Sequence, residues 1–374
     1  MTKGAIMKYE LKPRQICLFI ISFFPVAKLF MMASVISASA NEDTWLSVLI
    51  NLGLDLISII SIVYLAKKTN KTFFEILTKV FGKIGSKFIL FLYLIFFLLK
   101  SILPINEAKD YMRLTLFVTK PGSTNFLPFF VLAFYLCLKR LRVLGRIADL
   151  TFILTTTGFF VLFFLSLGNS DFSAILPIGA NGLSNILKGA YKGLNWFGDA
   201  CYIMFFIGEY DTDKKAGLKI ILSYLFNALI ITLFAISFYG VFSSIASKQK
   251  FSLTEAVKYD NAINFTGRFD YFGIILILFS NFFAMILPLF FASKILDRIF
   301  EMKYKWISSM IVVAISFTVV ILFNDYFASI ENFIINYASG YFLILGNILP
   351  ALCPLMLIKL SKIKEKKQYE ICKN

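Results

Sequence analysis

Apolar residues in this chain fall into about ten blocks of roughly 18 to 25, separated by short charged loops. A helix needs roughly 20 such residues to cross a bilayer core about 30 Å thick. The chain therefore reads as an all-α polytopic membrane protein, with spans expected near 15–36, 44–66, 87–107, 123–139, 146–167, 186–208, 217–243, 271–293, 305–323 and 333–358. Between the second and third, Thr72 to Phe81 reads as a short amphipathic helix whose apolar side carries Phe73, Phe74, Ile76, Leu77, Val80 and Phe81.

Composition limits what else the chain can hold. Hydrophobic residues make up 59% of its 374 residues and charged ones 16%, against roughly a quarter in an ordinary soluble domain. Ten spans and their loops use up this length, so a single transmembrane domain over 1–374 is expected, with a basic tail at 359–374. The net charge of +16 is not read as a nucleic-acid footprint, because the basic residues are spread over loops. Counted in alternate loops, Lys and Arg divide roughly three to one, which places both termini in the cytoplasm and requires an even number of spans. Ala38-Ser39-Ala40 mimics a signal-peptidase site, but Pro25 and Lys28 interrupt the apolar run before it, so the segment is read as the first span.

Enzymatic and metal signals are missing. No Walker loop, nucleophile elbow or HExxH is present, so neither catalysis nor a cofactor is expected. There is no histidine, and Cys17, Cys137, Cys201, Cys353 and Cys372 are far apart, which predicts no metal site and no disulfide framework.

Ten spans divide into two fives, roughly 15–167 and 186–358. An odd number per half inverts the second half relative to the first, the topology of inverted-repeat transporters. In that design the first helix of each half is broken near mid-membrane and the substrate binds at the breaks. Pro25, in Phe24-Pro25-Val26-Ala27-Lys28, falls near the middle of the first span, and proline removes a backbone donor. Gly193-Leu194-Asn195-Trp196-Phe197-Gly198-Asp199 is poor helix material at the middle of the sixth. The alternative is that proline and glycine are simply frequent in membrane helices.

Charges inside a bilayer are costly and usually functional. Lys28 and Asp199 are expected to lie roughly 7 Å apart along the membrane normal, a gap that a lysine stem covers in large part. Asp55, at the middle of the second span, is the other candidate partner for Lys28. Lys100 is expected to reach outward to the interface, and Asp149 to pair locally with Arg146. Two readings stay open for Lys28, Asp55 and Asp199. One is a structural ion pair between helices. The other is recognition of a zwitterion, in which exposed helix N-termini hold a carboxylate, Asp199 holds an ammonium, and Trp196 and Phe197 cover the apolar part. The candidate substrate-binding set is Pro25, Val26, Ala27, Lys28, Trp196, Phe197, Gly198 and Asp199. Ser280 and Asn281, with Thr155 to Thr157, offer a polar relay or an ion site, or interhelical hydrogen bonds.

Several segments together resemble a known family. They are Asn41-Glu42-Asp43-Thr44-Trp45-Leu46, Phe74-Glu75-Ile76-Leu77 with Phe81-Gly82-Lys83, Leu141 to Asp149, and Leu187-Lys188-Gly189-Ala190 leading to Phe197-Gly198-Asp199. In order and spacing they are similar to the B-subunit of spore germinant receptors, the endospore germination permeases of the amino acid–polyamine–organocation superfamily. The resemblance covers most of residues 10–220. The family's Gly-Glu on the sixth helix is Gly198-Asp199 here, and Lys28 and Asp55 depart from its pattern. The resemblance implies a LeuT-like 5+5 fold and a small germinant such as an amino acid. It also implies A-type and C-type partner subunits and a place in the spore inner membrane or cell membrane. The competing readings are a proton- or sodium-coupled amino acid permease using the same pocket, and a scaffold or ion-conducting subunit in which paired charges leave no cavity.

Overall fold

The computed structural model describes residues 9–113, 122–168, 170–212, 215–258 and 270–361. The described residues are helical and contain no strand; their one β-bridge joins Leu11 to Tyr210. The loops 114–121 and 259–269 and the basic tail beyond 361 lie outside them.

Both expected weak points are breaks. The first span is α1 (Pro13–Phe23), a 3-10 turn at Val26–Lys28, and α2 (Met32–Ala40). Then come α3 (Thr44–Lys68) and α4 (Phe73–Tyr111). The amphipathic segment and the third span are one helix kinked at Gly82, whose φ of 73° suits a residue without a Cβ. Phe73, Ile76, Leu77 and Val80 of that segment are buried, and Phe81 is exposed. Next come α5 (Gly122–Cys137) and α6 (Leu141–Leu167). The sixth span is α7 (Gly182–Gly193), a 3-10 turn at Leu194–Trp196, and α8 (Ala200–Phe205). The remainder is α9 (Ala216–Phe242), α10 (Ser252–Lys258), α11 (Asp270–Phe300) and α12 (Lys305–Phe317).

The last expected span differs from the continuous helix read from hydropathy. Asn324–Tyr337 and Ser339–Ala351 meet at 52°, and π-turns occupy Phe333–Tyr337 and Ile344–Ile348. A π-turn inserts an extra residue and frees carbonyls for other partners. Among the described residues, six helices are long and apolar enough to cross a membrane alone, or seven with that bent pair.

Exposed apolar side chains recur at helical spacing, such as Ile57, Ile60 and Tyr64 on α3 and Leu218, Leu222, Leu225 and Leu229 on α9. In water such stripes would be a liability; in lipid they are the solvent-facing surface. Polar groups turn inward. Ser47 donates to the Ile186 carbonyl at 2.8 Å and Asn51 to the Ala190 carbonyl at 2.9 Å, tying α3 to α7. Gly189 and Gly193 permit that approach, since a Cβ at Gly189 would lie 2.9 Å from Ser47 Oγ and one at Gly193 3.1 Å from Asn51 Nδ2. Thr155 is buried and Thr156 half-buried, and neither hydroxyl has a hydrogen-bond partner among the described residues, so neither makes the interhelical bond that is one reading of them.

Candidate functional site

Breaking a helix inside a membrane strands backbone groups that lipid cannot satisfy. At the first break, Pro25 supplies no N–H, and Val26–Lys28 tightens into a 3-10 turn. The Phe24 carbonyl accepts from Lys28 Nζ at 2.8 Å. The Leu29 and Phe30 carbonyls accept from the Leu253 and Ser252 amides at 3.1 and 2.9 Å, so the start of α10 closes the far side.

At the second break Phe197 is extended and Gly198 has φ +81° before α8 resumes. Asp55 on α3 accepts the Gly198 amide at 3.0 and 3.2 Å and the Asp199 amide at 3.4 Å. It also accepts Asn347 Nδ2 at 2.7 Å and the Tyr224 hydroxyl at 3.2 Å. Lys100 Nζ donates to the Asn195 carbonyl at 3.2 Å and to the Phe197 carbonyl.

The breaks meet through charge. Lys28 Nζ lies 2.5 Å from Asp199 Oδ2, and Lys100 Nζ lies 4.0 Å from Asp199 Oδ1. Lys28 is 0% exposed, Asp55 0%, Asp199 3% and Lys100 6%, so the whole cluster is out of solvent. Rings complete it: Lys28 Nζ is 5.3 Å from the Phe197 ring centre, and Lys100 Nζ 5.9 Å from those of Phe96 and Tyr202.

Of the two candidate partners for Lys28, Asp199 is the one it reaches, and Asp55 instead receives backbone amides at a helix start, where a carboxylate is favoured. Other expectations are corrected. Lys100 turns inward rather than reaching the interface, because carbonyls freed by the second break draw it there. Asp149 binds Arg14 at 3.1 Å and Gln15 at 3.0 Å rather than Arg146, because α1 packs against the start of α6. Ser280 Oγ is spent on the Leu276 carbonyl at 3.1 Å, and neither it nor Asn281 lines the central cavity.

That cavity, about 30 Å³, is lined by Phe24, Ala27, Lys100, Asn195, Trp196, Asp199, Tyr202 and Met285 among others, room for one or two waters. Trp196 is fixed by its indole N–H donating to Glu107 Oε1 at 3.0 Å. Pro25 and Val26 are buried in the turn and do not line the cavity. Asn195 is buried, and neither amide atom of its side chain has a partner.

A larger vestibule, about 880 Å³, opens near the N-terminal segment and the α11–α12 turn. Its walls include Glu10, Glu75, Glu209, Lys294 and Arg298, and it ends on Phe205 and Phe291. Those rings separate it from the central cavity: Phe97 stacks on Phe291 at 5.5 Å, and Tyr202 meets Phe291 at 5.8 Å. In the turn after α8, burial, with Glu10 and Glu75 nearby, pushes the Glu209 carboxyl above its ordinary value.

The sequence reading does not single out Tyr224, Asn347 and Glu107, and it names Asn195 only within the weak run and Lys100 only as a charge reaching outward. Lys100 carried a usable signal, a lysine within an apolar run, which is the same signal that singled out Lys28.

Two discontinuous helices crossing through a buried ionic cluster define a LeuT-like, transporter-type fold. Crystal structures of a manganese transporter from Eremococcus coleocola share it. Three single-substitution mutants are 12% identical, and a complex with an aromatic bis-isothiourea substituted compound is 11% identical. Each matches with a TM-score of 0.58 over 94% of this chain and 81% of that one. At this identity the likeness concerns the fold alone. No curated protein matches the sequence. The family model described as spore germination protein matches residues 10–328, and the chain belongs to that family.

Proposed function

We propose that this chain is the ligand-sensing membrane subunit of a spore germinant receptor, and that it takes a small zwitterion such as an amino acid at the two helix breaks. The observation that carries this reading is the Lys28–Asp199 pair, buried where the halves of both broken helices meet. Asp55 already occupies the amides at the start of α8, so a ligand carboxylate has no place there. The ligand's ammonium instead replaces Lys28 on Asp199, and the freed Lys28 takes its carboxylate. Ion pairs are conserved in this exchange, which avoids leaving a buried charge alone. A central cavity of about 30 Å³ has to widen for this, so the ligand favours a second conformer by its higher affinity for it.

In this reading A-type and C-type subunits read out the change in the spore inner membrane or cell membrane. Both termini and the vestibule face the cytoplasm, and the halves 15–167 and 186–358 act as inverted repeats around the site. A second reading, an amino acid permease coupled to an ion gradient, is favoured by the vestibule, which stops at a layer of rings under the site.

Thermal stability of the purified protein against amino acids, nucleosides and sugars tests the proposal, with Asp199→Asn alongside. Stabilisation by one ligand class, lost in the variant while assembly is retained, is the expected result. A variant that responds at the wild-type ligand concentration rules out the pocket.

A further inference from the structure

The acceptors around Lys100 Nζ form a cation site. Two are main-chain carbonyls, Asn195 O at 3.2 Å and Phe197 O, exposed because the second break ends a helical segment there. The C-terminal end of a helical segment carries partial negative charge, which adds to their pull. The third is Asp199 Oδ1 at 4.0 Å. The rings of Phe96 and Tyr202 present their faces from 5.9 Å. A further oxygen, Asn195 Oδ1, is buried without a partner, in a residue that lines the adjoining cavity. Oxygens, a carboxylate and aromatic faces are what a small monovalent cation requires, and all of them here act as acceptors.

We infer that this is a monovalent-cation site whose occupant is covalently tethered: the Lys100 ammonium fills it, and the protein needs no free alkali ion at the break. The stem of Lys100 comes from the part of α4 beyond its kink at Gly82, so the cation ties the loop of the sixth span to that helix. The ion cannot leave, and its occupancy cannot follow a sodium gradient. The argument is independent of which ligand the central cavity takes. It bears on the permease reading by removing this site as a place for sodium coupling.

Removing the side chain empties the site while leaving its oxygens. In Lys100→Ala those oxygens face an emptied space the size of a propylammonium ion, and its filling by a small cation is what the experiment reads. The test is thermal unfolding of the full-length protein in detergent at constant ionic strength, comparing sodium, potassium and propylammonium chloride with N-methylglucamine chloride. Wild type is expected to unfold at the same temperature in all four, within about 1 °C. Lys100→Ala is expected to unfold earlier in N-methylglucamine and to recover by about 5 °C in at least one of the small cations. Two results overturn the inference: wild type stabilised by sodium or potassium over N-methylglucamine, or a folded Lys100→Ala indifferent to all of them. The wild-type measurement decides by itself if the variant does not fold. Because the readout is ligand-free stability, failure here leaves the germinant proposal untouched, and loss of ligand response in Asp199→Asn leaves this inference untouched.

Discussion

The two breaks solve one problem with different means. At the first, the freed Phe24 carbonyl is taken by Lys28, four residues along the same chain. At the second, the stranded groups are taken by Lys100, Asp55 and, through Asp55, Asn347, which are 95 to 292 residues distant from their partners. The first break draws on its own turn for the Phe24 carbonyl and on α10 alone for the Leu29 and Phe30 carbonyls. The second exists only when α3, α4, α9 and the last span are all in place. Asp199 joins them, so the break with fewer distant partners is ion-paired to the one with more.

The largest test of the contrast is Asp55→Ala, which strands two amides, Asn347 and Tyr224 inside the protein. A loss of about 3 to 5 kcal/mol is expected, measured as the unfolding temperature in detergent and the yield of monodisperse protein. An unchanged unfolding temperature would show that the second break does not depend on its distant partners.

The next test compares one small substitution at each break. Gly198→Ala forces a side chain onto φ +81°, with its Cβ 3.0 Å from the Gly346 Cα, at a cost of about 1 to 3 kcal/mol. Pro25 already has helical backbone angles, φ −71° and ψ −39°, so Pro25→Ala is expected to change stability by less than about 1 kcal/mol. Equal losses in unfolding measurements would abolish the distinction.

The smallest effect is expected at Glu209, beyond both breaks in the vestibule wall. Its carboxyl is raised by burial, so the folded state holds the proton more firmly than the unfolded one. Stability from this residue is present below the ordinary glutamate range and is lost as pH rises through the folded-state value. Glu209→Gln should flatten the stability–pH profile across that window; an identical profile would mean the residue titrates normally.

What could be read from the sequence follows the same division. Pro25, and the run Gly193 to Asp199, announce breaks because propensity is a local property, and Lys28 with Asp199 stood out as charges in apolar runs. A separation of roughly 7 Å along the membrane normal was estimated from straight helices. The pair closes to 2.5 Å because both helices are interrupted there and the lysine stem bridges the rest. Lys100 was misread because snorkelling is the default for a lysine near a helix end, and only the broken sixth span supplies carbonyls that reverse it. Asp55 was seen as a charge, but its partners are backbone amides on another element, which no residue pattern discloses. The π-turn at Ile344–Ile348 has no local signature either. It brings Gly346 against Gly198 and Asn347 to Asp55, in a part of the chain beyond the family match.

One short element has a mechanical consequence. The helix α8 is six residues long, about 9 Å from end to end, and too short to bend. At one end sits Asp199; at the other, Phe205 forms part of the vestibule wall and packs on Phe73 and Phe74 at 5.1 and 5.6 Å. A stiff strut of this kind cannot absorb a displacement. Were α8 to move as one body, spreading the ion pair would tilt the vestibule wall, and whatever braces that wall would alter, by the same free energy, how readily the ion pair parts.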